Sequence, residues 1–129
     1  MLNTIVVTTA LPSGFHSYVT NVGVKDSSQD FTVVASDRPC AASGVFTQSR
    51  FAGPSVVISR SHVADLAAQA VVVISKNANV ATGAEGTRNA EEITRSVAAR
   101  LGLNEQDVLI ASTGVIGRQY PIENIRAGI

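Results

Sequence analysis

Short apolar runs rich in β-branched residues fill the first half of the chain, and turn-forming Gly, Pro and Asp-Ser positions separate them. Runs of this length and composition are typical of β-strands. The pattern predicts five strands, over residues 4–9, 18–24, 30–36, 43–48 and 55–59. We therefore expect the first half of the chain to form a meander of strands.

The pattern changes after Ser61, where helical and extended segments begin to alternate. Residues 62–69 are rich in alanine and indicate a helix, whereas residues 71–75 and 108–111 indicate buried strands. Pro121 favours the start of a last helix, because proline fits a first turn. Strands followed by alternation predict an α/β (α+β) fold, a mixed sheet with helices packed on one face. We expect residues 1–129 to form a single domain.

The helix predicted over residues 87–101 has the clearest pattern. Apolar side chains recur three or four positions apart on one face, namely Ala90, Ile93, Val97 and Leu101. Acidic residues near the start and basic residues near the end suit the helix dipole. Thr87 is the predicted cap and Gly102 the predicted end of this helix.

Composition narrows the classes of function. The 129 residues are 45% hydrophobic and 16% charged, and ten basic side chains balance ten acidic ones. A neutral chain with scattered cations lacks the positive field that nucleic acids require. Because no apolar run reaches the ~20 residues of a membrane helix and the first residues lack a signal peptide's basic start, we expect a cytoplasmic protein. The single cysteine, Cys40, we interpret as a packed, inert thiol.

The apolar strand over residues 108–111 ends abruptly in Ser112-Thr113-Gly114. Such an ending can direct a backbone N–H and a hydroxyl toward one point, which stabilises an oxyanion during acyl transfer. Ordinary turn chemistry explains the same residues and stays open as the alternative. Asn77-Ala-Asn-Val-Ala-Thr-Gly83 follows another apolar strand. Asn77 and Asn79 are candidates for residues that support a site there, although we favour backbone hydrogen bonding as their role.

Other chemistries are not indicated. Gly83-Ala-Glu-Gly86 lacks the spacing of the nucleotide-binding motifs, so we predict no cofactor. His16 and His62 have no cysteine or paired carboxylate at ligand spacing, so we predict no metal. Ser61, His62 and Asp65 cannot align as a hydrolase triad, because neighbouring helical positions diverge by about 100°.

Five motifs follow one another along the chain: Asp30-Phe-Thr-Val-Val-Ala-Ser36, Ser43-Gly-Val-Phe-Thr-Gln-Ser-Arg-Phe-Ala-Gly-Pro-Ser-Val-Val57, Ala70-Val-Val-Val-Ile-Ser-Lys-Asn-Ala-Asn-Val-Ala-Thr-Gly-Ala-Glu-Gly86, Asn89-Ala90 and Leu109-Ile-Ala-Ser-Thr-Gly-Val-Ile-Gly117. In order and spacing they resemble the N-terminal half of the ornithine acetyltransferases, also called glutamate N-acetyltransferases. Each motif is weakly specific by itself, but five in the right order argue against accidental similarity. The resemblance covers roughly residues 14–125.

The resemblance implies a mechanism, a fold and a set of partners. Family members are made as one chain that cleaves itself before a threonine. The new N-terminal threonine, on the β chain, takes an acetyl group from N-acetylornithine and passes it to glutamate. The threonine and glycine of the family's Ser-Thr-Gly motif form the oxyanion hole, and they map onto Thr113 and Gly114. The resemblance also implies the sandwich fold shared with certain self-cleaving aminopeptidases, and an α2β2-type assembly.

These 129 residues contain no self-cleavage sequence of that family. We therefore expect an α-chain portion that is inactive alone, with its nucleophile on a separate β chain. Apolar surface and an exposed strand edge are expected on the isolated chain. A self-cleaving aminopeptidase and a noncatalytic fragment that binds a partner stay open as alternatives.

Two departures from the biosynthetic pattern bear on the substrate. Lys76 occupies a normally small position, and Val80-Ala81 replaces an Ala-Cys pair. Arg50-Phe-Ala-Gly-Pro-Ser-Val-Val57 and Ser112-Thr-Gly-Val-Ile-Gly-Arg-Gln-Tyr-Pro121 resemble more closely the variant found in clavulanic acid gene clusters. Primary and secondary metabolism therefore both stay open.

Overall fold

The structure is a computed structural model, and it describes residues 11–129. The strands and helices of this part follow in the order β1 Phe15–Thr20, β2 Phe31–Ala41, α1 Pro54–His62, β3 Ala67–Ile74, α2 Gly83–Leu101, β4 Val108–Ser112 and α3 Ile122–Gly128. The strand predicted over residues 4–9 lies outside the described residues. Within residues 11–129, no helix combines the length and the apolar character needed to cross a membrane.

The described strands form one mixed sheet in the order β1-β2-β3-β4. Antiparallel pairs join β1 to β2 and β2 to β3, whereas β4 runs parallel to β3. Parallel neighbours require a crossover connection, which α2 provides. The predicted α+β class, a mixed sheet with helices, is thereby confirmed. Because β3 and β4 run in the same direction, the loops that follow them leave the same edge of the sheet.

One face of the sheet packs against the helices. Side chains alternate along β3, so that Val72 and Ile74 are fully buried on this face. Ile93 of α2 and Ile110 of β4 belong to the same apolar core. The end predicted for α2 is confirmed, because Gly102 adopts the left-handed conformation (φ 69°) that closes many helices.

Helix α1 stands where the sequence predicted a strand over residues 55–59, so that prediction is wrong. The run is β-branched, but Gly53 precedes it and Pro54 occupies the first turn of the helix. The side chains that α1 buries include Ser55 and Ser59 as well as Ile58. The prediction fails because it relied on apolar side chains, whereas the buried face of this helix is largely polar.

The buried face of α1 lies along the outer side of β4. Ser59 donates a hydrogen bond to the Ile110 carbonyl (2.7 Å) and accepts one from the Ile110 N–H (2.8 Å). One turn later, His62 Nδ1 donates to the Val108 carbonyl (2.8 Å). These bonds satisfy backbone groups that an edge strand leaves unpaired. The exposed strand edge expected from the sequence is therefore not found at β4.

The helix predicted over residues 62–69 is also wrong. A short 3₁₀ turn, Val63–Asp65, ends at Leu66, whose φ is 62°, and β3 begins at the next residue. Ala68 and Ala70 alternate into the core from β3. Pairing with β2 overrides the helical preference of these alanines.

Three further elements differ from the predictions. Residues 43–48 form no strand and are largely exposed, because no neighbouring strand pairs with them in the described sheet. The first described strand is Phe15–Thr20 rather than residues 18–24. Helix α2 begins at Gly83 rather than after the predicted cap Thr87. Thr82 directly precedes this helix, but its hydroxyl donates to the side chain of Asn79 (2.8 Å) instead of capping the helix.

Candidate functional site

Two loops meet beyond the carboxyl ends of β3 and β4. We call residues 75–82, between β3 and α2, the amide loop, and residues 113–119, after β4, the glycine loop. The Val115 N–H donates to the Lys76 carbonyl (3.2 Å), and the Val115 carbonyl accepts from the Ala78 N–H (3.0 Å). The Gly117 N–H donates to the Val80 carbonyl (2.8 Å). Backbone hydrogen bonds therefore hold the two loops against each other.

Gly114 lies where the two loops approach most closely. Its φ is 134°, and a Cβ built there would lie 2.5 Å from the Asn77 nitrogen. That distance is shorter than any real Cβ contact, and the obstacle is backbone, which cannot move aside as a side chain can. Only glycine fits this position, both for its conformation and for the space available.

Thr113 and Gly114, the predicted oxyanion-hole pair, are both exposed at this edge of the sheet. The Thr113 N–H is already committed, since it donates to the Ile74 carbonyl (3.0 Å). Among residues 11–129, no hydrogen bond engages the Thr113 hydroxyl or the Gly114 N–H. The available donors are thus one hydroxyl and one N–H on adjacent residues, the combination that the strand ending suggested.

Asn77 and Asn79 lie buried in the amide loop, at 5% and 0% exposure. Asn77 Nδ2 donates to the carbonyls of Arg118 (3.2 Å) and Gln119 (3.1 Å), and its Oδ1 accepts from the Asn79 N–H (2.8 Å). Asn79 Nδ2 donates to the Gly86 carbonyl (2.9 Å). Both amides thus bond mainly to backbone groups, as we favoured from the sequence.

Sequence reasoning missed a chain of three hydroxyls, of which two belong to buried residues and the central one to the half-buried Ser112. Ser112 Oγ lies 2.7 Å from Ser55 Oγ and forms a second, short hydrogen bond with the Tyr120 hydroxyl. Burial raises the pKa of the Tyr120 phenol above its ordinary value of 10.0, while hydrogen bonds with Ser112, Ser55 and Asn79 act in the opposite direction. Ser112 was part of the recognised motif, but no sequence spacing relates it to Ser55, 57 positions away.

Lys76 is a residue of the amide loop with positive φ (72°). Its Nζ donates to Asp26 Oδ1 (2.6 Å) and to the Ser28 carbonyl (2.6 Å) in the turn between β1 and β2. The hydrogen bond from Lys76, helped by Ser28, lowers the pKa of the Asp26 carboxyl well below its ordinary value. The unusual lysine of the amide loop therefore tethers this turn to the end of β3.

Two open cavities flank the loops. One, of about 340 Å³, lies between the segment before α1 and the start of α2, and includes Phe51, Val57 and Thr87 in its lining. The other, of about 250 Å³, is lined by Val115 and by Lys25 and Arg118. Phe51, Val57 and Val115 are 63%, 55% and 42% exposed, so the expected apolar surface is present beside the site.

The remaining candidate residues have structural partners. His16 Nε2 pairs with Asp37 (2.6 Å), and Cys40, half-buried, donates weakly to the Arg38 carbonyl (3.4 Å). In residues 11–129 the acidic, histidine and cysteine side chains form no group of three that could hold a metal ion. His62 bonds to β4, and no hydrogen bond of the described chain joins it to Ser61 or Asp65 as a triad would require.

Comparison with known proteins places this geometry in a family. The profile of the ArgJ family matches residues 16–129. The chain is 56% identical over 118 residues to "Arginine biosynthesis bifunctional protein ArgJ 2" of Nostoc sp., a match that covers 92% of this chain and 30% of the relative. It is 59% identical over 116 residues to "Glutamate N-acetyltransferase Oat2" of Streptomyces clavuligerus, covering 89% of this chain and 30% of the relative.

Solved structures agree with the sequence comparison. The arginine biosynthesis bifunctional protein ArgJ of Bacillus halodurans superposes with a TM-score of 0.86 at 26% identity, covering 90% of this chain and 61% of that one. The ornithine acetyltransferase of Mycobacterium tuberculosis, complexed with ornithine, gives 0.87 at 29% identity, covering 91% and 64%. The chain spans about 30% of the length of the curated relatives that it matches.

Proposed function

The chain belongs to the ArgJ family, and we propose that it forms the α-chain portion of an acetyltransferase that moves an acetyl group from N-acetylornithine to glutamate. One observation carries the proposal. The Thr113 hydroxyl and the Gly114 N–H are adjacent, exposed and not engaged by any hydrogen bond among residues 11–129. Two such donors on a fixed backbone are what an oxyanion hole requires.

In the proposed reaction, the nucleophile is the N-terminal threonine of a second chain. Its α-amino group removes the hydroxyl proton as the oxygen attacks the acetyl carbonyl of N-acetylornithine. The carbonyl oxygen becomes an oxyanion, which accepts hydrogen bonds from Thr113 and Gly114. The intermediate collapses to a threonine acetyl ester as the ornithine nitrogen leaves with a proton. Glutamate's amine then attacks the ester, and the same donors stabilise the second oxyanion. This intermediate collapses to N-acetylglutamate as the threonine oxygen leaves and takes back the proton that the amine loses.

The rest of the proposal concerns partners. We infer that a β chain, released when a longer precursor cleaves itself, supplies the threonine, and that the assembly is α2β2. The exposed Phe51, Val57 and Val115 support such pairing, because apolar surface beside a site often marks a contact with another chain. The isolated chain would then be inactive. The cytoplasmic location and the choice between primary and secondary metabolism stay predictions.

Intact masses under denaturing conditions, followed by an acetyl-transfer assay, test this function. The protein that contains this chain is purified from its source, and its chains are weighed and their N-termini sequenced. We expect a second chain that begins with threonine, and transfer of acetyl from N-acetylornithine to glutamate. Release of acetate without transfer would favour a hydrolase of the aminopeptidase type. A lone 13.4 kDa species without activity would contradict the proposal and favour a binding role.

A further inference from the structure

The glycine loop, residues 113–119, is closed at its base by a side-chain contact. It begins immediately after Ser112 and ends immediately before Tyr120, and the hydroxyls of these two residues are hydrogen-bonded to each other. Tyr120 is 3% exposed and Ser112 is half-buried, so this contact is largely shielded from water. The two ends of the loop are therefore held together by one bond between side chains.

The base of the loop is in turn anchored to α1. Ser55, 4% exposed in the first turn of that helix, brings its Oγ to 2.7 Å from Ser112 Oγ. The chain Ser55–Ser112–Tyr120 thus joins three elements: α1, the end of β4 and the segment that leads into α3. A buried hydroxyl is stabilising only where it has a partner, so removing the central one weakens the hydrogen bonding of the other two.

The central hydroxyl belongs to the residue that directly precedes the two proposed donors. The backbone beyond it is fixed at Thr113 by the bond to Ile74 and at Val115 by the bond to Lys76. Donors in an oxyanion hole must already be in place before the charge develops, and a displacement of about 1 Å can cost ~10²-fold in rate. A residue that holds the base of the loop therefore controls the catalytic geometry.

We propose that Ser112 is a positioning residue, whose hydroxyl, held between Ser55 and Tyr120, fixes the loop that presents Thr113 and Gly114 to the oxyanion. This inference rests on the proposed function of those two donors. Ser112 itself does not touch substrate. It acts through the backbone to which it is joined.

Kinetics of the complete acetyltransferase, assembled from this chain and its partner, test the role. Ser112→Ala is expected to lower kcat by about tenfold or more while KM changes by less than about twofold, since only interactions of the transition state are affected. Ser59→Ala is the matched control, because it deletes a buried hydroxyl between the same helix and strand without touching the loop. It should leave kcat unchanged, and equal losses in both variants would overturn the proposal.

A second variant covers the case in which Ser112→Ala does not fold. Tyr120→Phe removes a single oxygen from the other end of the chain and is expected to lower kcat by a similar factor. If both act through one hydroxyl chain, the double variant should lose little more than either single variant. Fully additive losses, or an unchanged kcat in Tyr120→Phe, would contradict the role.

Hydrogen exchange on the same proteins separates this inference from the proposed function. Ser112→Ala should speed amide exchange in residues 113–119 by about tenfold, whereas Ser59→Ala should not. An absence of acetyl transfer in the wild type would refute the proposed function alone. Faster exchange in Ser112→Ala but not in Ser59→Ala would still support the positioning role, and unchanged exchange in Ser112→Ala would overturn it.

Discussion

The apolar core and the pair of loops beyond β3 and β4 are held together in different ways. The core consists of regular strands and α2, and its side chains, such as Val72, Ile74 and Ile93, are fully or almost fully buried without polar partners. The loops are irregular, and their buried side chains are amides and hydroxyls. Five of their residues adopt positive φ, namely Lys76, Asn79, Ala81, Gly114 and Gly117.

This difference implies that the core determines mainly the stability of the protein, whereas the two loops determine the geometry of the site. Apolar packing is nondirectional, so a lost methyl group weakens the core without moving a donor. Left-handed backbone at non-glycine residues costs free energy and persists only where neighbouring bonds enforce it. The amide and glycine loops are therefore where small chemical changes should alter the site, whereas changes in the core should alter mainly the free energy of unfolding.

The largest effect on stability is expected from the core. Ile93→Ala should lower the free energy of unfolding by about 2–5 kcal/mol, because Ile93 is almost fully buried in α2 and a cavity would remain. Chemical denaturation of the assembled protein measures the loss, and kcat per folded molecule should stay unchanged. Val45→Ala, at a fully exposed position, is the control and should cost much less. A parallel collapse of kcat in Ile93→Ala would break the distinction between the two regions.

The largest effect on turnover is expected at the exposed donor. Thr113→Ala should lower kcat by about 10²–10³-fold, roughly 3–4 kcal/mol, because one oxyanion donor is lost. The free energy of unfolding should hardly change, since among residues 11–129 no hydrogen bond uses the Thr113 hydroxyl. Thr113→Ser keeps the hydroxyl and should retain most of the activity. An unchanged kcat and unchanged self-cleavage in Thr113→Ala would remove Thr113 from the site.

Asn79→Ala should lower both the free energy of unfolding and kcat, and it therefore sharpens the comparison between the core and the loops. It removes the hydrogen bonds from Asn79 Nδ2 to the Gly86 carbonyl and from the Thr82 hydroxyl to Asn79 Oδ1, at a fully buried position. We expect a loss of about 1–3 kcal/mol in stability, with lowered kcat. Asn89→Ala in α2 is the matched control, because Asn89 Nδ2 has no partner among residues 11–129. If thermal unfolding and kcat respond alike in both variants, hydrogen bonding in the amide loop is not what holds the site.

The smallest effect is a pH dependence from Tyr120. Burial raises its pKa, so above about pH 10.0 the unfolded phenol ionises first and the folded one keeps its proton. The unfolded state then binds fewer protons, and stability should fall as the pH rises from 10.0 through the higher pKa of the folded protein. Urea unfolding at several alkaline pH values should show a shallower slope in Tyr120→Phe. Tyr18→Phe keeps the Tyr120 phenol and should keep its slope.

The sequence predicted the core better than the loops, for physical reasons. Helix α2 and the strands β2, β3 and β4 carry periodic apolar side chains, and periodicity follows directly from the geometry of each element. Helix α1 was mistaken for a strand because its buried face contains Ser55 and Ser59, which face β4 rather than an apolar core. Hydrogen bonds between polar residues that are far apart in the sequence produce no periodic pattern along the chain.

The candidate site was partly accessible from sequence. The strand ending pointed to Thr113 and Gly114, and the preceding loop pointed to Asn77 and Asn79, whose backbone bonding the structure bears out. Their function as oxyanion donors stays a prediction. Tyr120 was not recognised as part of the same cluster, because its contact with Ser112 depends on how the glycine loop closes. Only the folded chain brings such residues together.

The hydrogen bonds between α1 and β4 also determine whether another strand can be added to the sheet. Ser59 occupies both hydrogen-bonding groups of Ile110, and His62 occupies the carbonyl of Val108, the positions that a fifth strand would need. Strand addition is therefore blocked along this edge of the described sheet, whether the added strand would come from a misfolded neighbour or from another chain. The nine-residue helix α1 thus covers this edge of the sheet and protects it from edge-to-edge association with another chain.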